Sequence, residues 1–277
     1  VTPYRSKFLQ AFSLSNGLEV TVASGDNTSL PGVEILETVD GVSIERLENH
    51  IFGEGEKIIW QGGVFRKIIS DRFDVVIAEF NPRIISNVLL LILAKIRGKS
   101  FVWWGHGLSP QSSWWSVQLR KCLMHISDAV ILYDNVMAER LGSLDVSRDK
   151  LFVATNSIDT EGIHDIKISI HQKARNRVLF IGRLIESKKV DLLIRGFAEA
   201  QSRLSQDILL TIIGDGPERT NLEKLVTERN LGNFVQFVGT LYDEERLAKY
   251  FSESFISVSP GYIGLSAVHS LAYGVPL

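Results

Sequence analysis

The sequence predicts an α/β protein with two Rossmann-like domains, and three observations lead to this fold class. Short apolar runs alternate with amphipathic segments along most of the chain, which is typical of parallel sheets with helices on both faces. The stretch 178–217 has the pattern of strand, loop, helix, strand and loop, which makes one βαβ unit. A polar segment without periodicity, 160–176, separates two such regions. We therefore predict domains at 1–159 and 177–277, joined by a linker at 160–176.

The βαβ unit is defined by two apolar runs that each end at a glycine. Val178–Ile181 stops at Gly182, and Ile208–Ile213 stops at Gly214. Between them, apolar residues recur at the spacing of one helical face from Val190 onward. Both glycine loops are then predicted to leave the carboxyl ends of parallel strands, where ligands of open α/β sheets bind.

The remaining elements follow from the same periodicities and from turn residues. In the first half we predict helices over 1–17, 64–70, 82–97 and 112–126, and strands over 19–23, 33–36, 74–78, 100–104, 128–133 and 151–154. In the second half we predict helices over 217–230 and 265–273, a helix capped by Asp243, and strands over 234–238 and 255–258. No compact ending is visible at either terminus, so we interpret the chain as a fragment.

Composition sets limits on the class of protein. The chain has 277 residues, 45% of them apolar, and a net charge of −2, which gives no general attraction to nucleic acid. Its one cysteine, Cys122, excludes an internal disulfide and fits a reducing compartment. The longest apolar run, Val88–Ala94, is well short of the ~20 residues that a membrane span requires. We expect a cytoplasmic protein.

The charge is uneven along the first half. Residues 57–121 contain ten Lys or Arg and three acidic residues, and also Trp103, Trp104, Trp114 and Trp115. Basic residues with interfacial aromatics can hold a protein on an anionic membrane, here the inner face of the cell membrane. Scattered surface charges with core tryptophans explain the same pattern, and we favour this second interpretation.

Two cations follow the first glycine loop. Arg183 comes directly after Gly182, and Lys188 comes five residues later. Cations beside a glycine turn suit a diphosphate. Solvated surface cations are the alternative, and the spacing alone does not separate the two.

Four motifs in the second half occur in a familiar order. They are Gly182-Arg183 with Lys188, Gly214-Asp215-Gly216-Pro217, Val235–Gly239, and Ser259–Leu265 leading to Ala272–Pro276. This order resembles the C-terminal half of glycosyltransferase family 4. The resemblance implies the GT-B fold, in which two Rossmann-like domains face each other across a cleft, with the second domain incomplete here.

The resemblance also implies a set of donor-binding residues. Arg183 and Lys188 would neutralise the diphosphate of a nucleotide sugar, and the backbone amides of Gly264 and Leu265 would hold its phosphates. The glycines expected to let the backbone approach the donor are Gly182, Gly214, Gly216, Gly239 and Gly261. We predict no metal and no cofactor, since the nucleotide-diphosphate sugar is a co-substrate.

One departure from the family pattern concerns two glutamates separated by seven residues. This chain has Gly261 and His269 at those positions. A neutral imidazole at 269 could hydrogen-bond ribose hydroxyls, and backbone groups near 261 could serve the sugar. A plain helix-surface histidine is the alternative at 269.

His106 is the candidate catalytic residue of the first half. It lies in Gly105-His106-Gly107, directly after a predicted strand. In the resembled family a histidine in this region touches the donor sugar. A local backbone contact of a loop histidine is the alternative.

The resemblance implies transfer of a sugar, with retention at the anomeric carbon, from a nucleotide-diphosphate sugar to a saccharide or lipid-linked acceptor. The expected setting is bacterial polysaccharide or glycolipid biosynthesis. Two other functions stay open from the residues: a nucleotide-sugar epimerase of the same architecture, and a non-catalytic nucleotide-sugar-binding partner subunit.

Overall fold

The computed structural model describes residues 5–15, 17–25, 36–53, 58–69, 72–108, 113–160, 162–163, 175–201, 203 and 208–277. These residues form two compact units. The C-terminal unit contains the described parts of 1–20, 28–42 and 157–277. The N-terminal unit contains the described parts of 21–27 and 43–156.

Regular helices and strands alternate along both units. The helices are α1 (Ser6–Leu14), α2 (Val64–Ile69), α3 (Ile85–Ile96), α4 (Trp114–Ile126), α5 (Asn135–Gly142), α6 (Val190–Gln201), α7 (Arg219–Glu228), α8 (Glu244–Ser252) and α9 (Ser266–Ala272). The strands are β1 (Val20–Gly25), β2 (Val42–Leu47), β3 (Asn49–Phe52), β4 (Ile58–Gln61), β5 (Val75–Glu79), β6 (Ser100–Gly105), β7 (Ala129–Leu132), β8 (Leu151–Val153), β9 (Arg177–Ile181), β10 (Leu209–Ile213), β11 (Val235–Gly239) and β12 (Ser254–Ser257).

The C-terminal unit is built on a parallel four-stranded sheet in the order β11-β10-β9-β12. Successive side chains of a strand point to opposite faces, and here both faces are apolar. Phe180 and Ile212 lie in one core with α6 and α7. Leu179 and Ile213 lie in a second core with α8. Both faces of this sheet are therefore buried, as expected for a parallel sheet.

The N-terminal unit contains a parallel sheet in the order β5-β6-β7-β8. One face packs into a single core with residues of α3, α4 and α5, and it includes Phe101, Trp103 and Val130. The opposite face is apolar but open, since Val75 is 52% exposed and Phe152 is 56% exposed. This unit thus buries one face of its sheet.

The predicted fold class, an α/β protein with parallel sheets, is confirmed. Four elements were missed: the strands β2, β3 and β4, and the helix α5. The hairpin β3–β4 has only four residues in each strand, and α5 carries a single buried residue, Leu141, so neither gives a clear apolar period. The predicted strand at 33–36 falls mainly outside the described residues.

Two finer expectations were wrong. The predicted helix at 217–230 begins at Arg219 rather than Pro217, because the amide of Glu218 donates to the carbonyl of Leu184 at 3.0 Å and holds the preceding turn outside the helix. Only some of the tryptophans are core residues. Trp103 is buried, whereas Trp115 is 76% exposed at the start of α4. In the described part of the chain, no helix is both long and apolar enough to cross a membrane.

Candidate functional site

The loops after β9 and β12 meet through Lys188. Parallel pairing of these two strands brings their carboxyl ends to the same edge of the sheet. The Nζ of Lys188 donates to the carbonyl oxygen of Tyr262 at 2.6 Å and lies 5.3 Å from the centre of the Tyr262 ring. A Cβ placed on Gly264 would lie 3.6 Å from the same Nζ. The ammonium is therefore held against the 261–264 turn.

Gly261 allows the two loops to touch along their backbones. The amide of Tyr262 donates to the carbonyl oxygen of Ser187 at 2.9 Å. A Cβ on Gly261 would collide with that oxygen and would lie 2.7 Å from the carbonyl carbon of Lys188. A side chain at 261 would force these loops apart. Glycine at 261 therefore lets the two loops pack directly against each other.

Positive charge concentrates beside this contact. Partial burial lowers the pKa of Lys188, and the positive charge of Arg183 lowers it further. Repulsion between the two cations disfavours the charged form of each, and an anion bound between them would offset that repulsion. The arrangement favours an anionic ligand.

Several polar groups at the turn lack protein partners. No described residue accepts a hydrogen bond from the backbone amide of Gly264 or Leu265. The hydroxyls of Ser259 and Ser266 are buried, and no described group is bonded to them. Buried polar groups are normally paired, so unpaired ones mark a place where a ligand or water can bind.

Four glycines predicted for the site, Gly182, Gly214, Gly216 and Gly239, shape the neighbouring turn. Gly214 has a φ of 137°, and its amide donates to the carbonyl oxygen of Gly239 at 2.8 Å. A Cβ on Gly214 would collide with the carbonyl oxygen of Gly182, and a Cβ on Gly216 would collide with the carbonyl oxygen of Leu184. These glycines let the strand ends approach each other at backbone distance.

Asp215 belongs to this turn but is occupied within it. Its carboxylate accepts from the amide of Gly216 at 2.7 Å and from Nη1 of Arg219 at 3.0 Å. Arg219 also pairs with Glu223 at 2.8 Å. These contacts stabilise the 214–217 loop at the start of α7.

His269 lies one helical turn beyond Leu265 and faces α8. Its Nε2 is 3.4 Å from Oε1 of Glu244. The hydroxyl of Tyr273 donates to the other oxygen of the same carboxylate at 2.9 Å. Burial, followed by the charge and the hydrogen bond of Glu244, raises the pKa of Tyr273. Glu244 therefore joins α8 to α9 through two side chains.

His106 lies in the N-terminal unit, at the end of β6. Its ring is exposed, and its centre is 4.6 Å from the centre of the Tyr133 ring. The adjacent carbonyl oxygen of Gly107 accepts from Nη1 of Arg120 at 2.9 Å.

Among the described residues, no group of three His, Cys, Asp or Glu is arranged to hold a metal ion.

The ten predicted donor-site residues all lie in the C-terminal unit, and His106 lies in the other. Contacts bring together Lys188, Gly261 and Gly264 in one group, and Gly182, Gly214, Gly216 and Gly239 in the adjoining turn. Sequence reasoning missed Ser187 and Tyr262, which act through backbone atoms and give no side-chain signal. It also missed Glu244, which is 25 residues from His269.

One family model matches the C-terminal part of the chain. Residues 164–277 match the family model described as glycosyl transferases group 1. The match covers the β9–β12 sheet and every loop of the candidate donor site.

Two named proteins are similar in sequence to part of this chain. The chain is 34% identical over 95 residues to the GtfA subunit of a UDP-N-acetylglucosamine–peptide N-acetylglucosaminyltransferase of Streptococcus parasanguinis. It is 31% identical over 112 residues to D-inositol 3-phosphate glycosyltransferase 2 of Catenulispora acidiphila. These matches cover 34% and 36% of this chain but only 18% and 26% of the relatives.

Solved structures share the fold at low sequence identity. Anabaena HepE in complex with UDP aligns with a TM-score of 0.60 at 18% identity, over 85% of this chain and 66% of that one. The pneumococcal O-GlcNAc transferase GtfA, in complex with UDP and GlcNAc, aligns with a TM-score of 0.58 at 18% identity, over 82% of this chain and 48% of that one. Both are GT-B proteins, and the likeness extends the fold assignment to most of the chain.

Proposed function

We propose that this protein is a glycosyltransferase that uses a nucleotide-diphosphate sugar as donor. The observation that carries the proposal is the position of Lys188, whose ammonium lies on the turn formed by residues 261–264 with Arg183 as its cationic neighbour. The match to group 1 glycosyltransferases and the names of the relatives support the same activity.

The proposed mechanism uses these groups to stabilise the leaving diphosphate. Negative charge grows on the diphosphate as the glycosidic bond to the sugar breaks. Fixed cations at 183 and 188 and the unpaired amides of Gly264 and Leu265 would stabilise that charge in place. Because these groups are already positioned in the folded protein, little reorganisation is needed during the reaction.

The finer parts of the proposal concern the acceptor and the stereochemistry. His106 is assigned to the sugar and acceptor side of the reaction, because its ring is exposed at the carboxyl end of β6. We assign the protein to retaining transfer onto a saccharide or lipid-linked acceptor in bacterial polysaccharide or glycolipid biosynthesis. By their names, the two relatives above act on a peptide and on D-inositol 3-phosphate. These two compounds are therefore acceptors to test alongside saccharides.

We also propose a cytoplasmic location with a peripheral contact to the inner face of the membrane. The support is α4, where Trp115, Leu119 and Ile126 are exposed. Co-sedimentation with anionic vesicles tests this contact. We expect Trp115→Ser to weaken it, and undiminished binding of that variant would remove α4 from the contact.

Turnover of UDP-, GDP- and ADP-sugars tests the activity. We expect one class of donor to be hydrolysed slowly and its sugar to be transferred to added saccharides. Lys188→Gln and Arg183→Gln should each lower the rate by about 100-fold, as the loss of one preorganised charge does in other enzymes. Lys189→Gln is the matched control, since it removes the same charge at the adjacent position, where Nζ is 3.8 Å from Glu186.

The outcomes separate the three functions. Conversion of the donor to an epimeric nucleotide sugar without any acceptor would identify an epimerase. Binding of a donor with no hydrolysis or transfer would identify a binding subunit. Failure of every nucleotide sugar to bind would contradict the donor site itself.

A further inference from the structure

Two arginines, Arg83 and Arg120, lie near the carboxyl ends of β5 and β6 and are close enough for their charges to interact. Arg120 extends from α4 and donates from Nη1 to the carbonyl oxygen of Gly107 at 2.9 Å. Its Cζ is 5.3 Å from the centre of the Phe80 ring. Phe80 directly follows β5, and its amide donates to the carbonyl oxygen of Trp104 at 2.9 Å. The guanidinium thus lies between the two strand ends.

Arg83 belongs to the same turn. Its amide donates to the side-chain oxygen of Asn81 at 3.2 Å, and the amide of Ile84 donates to the carbonyl oxygen of Asn81 at 2.9 Å. These bonds fix the backbone three residues after Phe80, and the side chain of Arg83 is exposed. Partial burial lowers the pKa of Arg120, and the positive charge of Arg83 lowers it further.

Within the described part of the chain, neither guanidinium pairs with a carboxylate. The ion pairs of those residues include neither Arg83 nor Arg120. The Nε of Arg120 is buried without a hydrogen-bond acceptor. A half-buried arginine normally has an anionic or carbonyl partner for most of its donors, because an unpaired buried charge is costly. Here, one carbonyl serves Arg120, and a second cation lies beside it.

The two arginines lie near His106, the residue that we assign to the acceptor side of the reaction. Gly107, which anchors Arg120, directly follows His106, the exposed residue that we assign to the reacting sugars. The carboxyl edge of a parallel sheet is where ligands of α/β domains bind. A ligand held by the arginines would therefore extend along the loop that carries His106.

We propose that Arg83 and Arg120 form a phosphate-binding subsite, and that the acceptor of this enzyme carries a phosphate group. The inference rests on the proposed transferase function. Planar guanidinium groups bind phosphate oxygens in pairs, and two of them match a doubly charged phosphate. A soluble sugar phosphate and a lipid phosphate present the same chemistry to this pair.

The structure offers a competing role for Arg120, which is to anchor the 105–107 loop. Among the residues that the structure describes, Arg83 makes no comparable side-chain contact, so its substitution separates the two roles. Arg83→Gln should remove phosphate recognition and leave the fold intact. Arg140→Gln is the matched control, because it removes one exposed arginine from α5 in the same unit.

The first experiment compares transfer to an alkyl glycoside and to the same glycoside bearing a phosphate, using the donor that the protein hydrolyses. We expect kcat/KM to favour the phosphorylated acceptor by about 10-fold or more, as charge-assisted bonds do. Arg83→Gln should reduce that preference to near parity while donor hydrolysis stays unchanged, and Arg140→Gln should keep it. An equal rate for both acceptors in the wild type, with hydrolysis intact, would overturn the subsite.

The second experiment does not depend on turnover. Inorganic phosphate is titrated into the Arg183→Gln/Lys188→Gln variant, in which the donor site is weakened, while the Nε–H resonance of Arg120 is followed by NMR. We expect a saturable shift that Arg83→Gln weakens by about 10-fold. An unresponsive resonance would contradict the subsite even if the protein proves to be a transferase, whereas a normal shift combined with no turnover by the wild-type protein would count against the proposed function alone.

A third arm identifies the source of the phosphate. Vesicles of phosphatidylcholine are compared with vesicles that also contain phosphatidylglycerol. Binding that requires phosphatidylglycerol and that Arg83→Gln reduces would identify a lipid phosphate. Equal binding of the wild type and Arg83→Gln to the vesicles, with the wild type still preferring the phosphorylated acceptor, would identify a soluble phosphate.

Discussion

The two units contain sheets of the same kind, but they bury them differently. In the C-terminal unit, Phe180 and Leu179 are neighbours on β9 and belong to separate cores on opposite faces. In the N-terminal unit, Phe101 is buried on one face, while Ile77 on the other face is 42% exposed. The difference shows why the donor-side loops are held by dense packing on both sides, while the first sheet rests on a single core.

Backbone crowding at the C-terminal site gives the largest expected effect. Gly214→Ala should lower the free energy of unfolding by about 3 kcal/mol or more, because the added methyl would collide with the carbonyl oxygen of Gly182 and because φ is 137° there. Chemical denaturation measures the change. A loss below about 1 kcal/mol would mean that the turn relaxes easily and that the C-terminal unit is less tightly packed than described.

The two sheet faces can be compared directly by truncating one residue on each. Leu179→Ala should lower the free energy of unfolding by about 3 kcal/mol, because Leu179 is fully buried in the second core. Ile77→Ala should lower it by about 1 kcal/mol or less, because the side chain is partly in water already. Equal losses in thermal and denaturant unfolding would show that the first sheet is covered on both faces in solution.

A smaller change of opposite sign is expected at Gly196 in α6. This helical glycine is exposed, and an added Cβ meets no atom of the described residues within 4 Å. Gly196→Ala should raise the free energy of unfolding by about 0.5–1 kcal/mol, since alanine has the higher helix propensity. Paired with Gly214→Ala, it separates glycines that the fold requires from those that it tolerates. A destabilised Gly196→Ala variant would contradict this distinction.

The smallest expected effect concerns acid stability of the N-terminal unit. Partial burial raises the pKa of Asp128, but hydrogen bonds from Lys95 and the amide of Phe101, with the charges of Lys95 and Lys150, lower it by more. The folded pKa therefore lies below the unfolded value. The stabilisation is present above the unfolded value, about 3.9, and is lost as the pH falls through the folded pKa.

Asp128→Asn checks this effect. The variant should lose stability at pH 7 and show a weaker further loss toward pH 3 than the wild type, by an amount typical of a partly exposed pair, below about 1 kcal/mol. Unfolding curves for both proteins across that range give the measurement. Parallel curves for variant and wild type would exclude Asp128 as a source of the acid sensitivity.

The sequence predicted the C-terminal unit better than the N-terminal one for a physical reason. Continuous apolar strands such as β9 and β10 leave a strong signal, and the loop that follows β9 carries Arg183 and Lys188. The hairpin β3–β4 has four-residue strands with largely exposed side chains, which leave little period to detect.

The contacts that assemble the site were the part that sequence could not supply. Ser187 and Tyr262 meet through backbone atoms, so their side chains gave no indication of the contact. Glu244 reaches His269 only because α8 and α9 both pack on the second core of the sheet. Such long-range pairs depend on the completed fold rather than on local patterns.

Calorimetric titration with UDP tests most directly whether Lys188 holds a donor diphosphate. The wild type and Lys189→Gln should bind UDP with similar affinity, whereas Lys188→Gln should bind it about 10- to 100-fold more weakly, as expected for the loss of a charge-assisted bond to phosphate. Equal affinity of all three proteins would show that the ammonium against the Tyr262 carbonyl only joins two loops and does not bind the ligand.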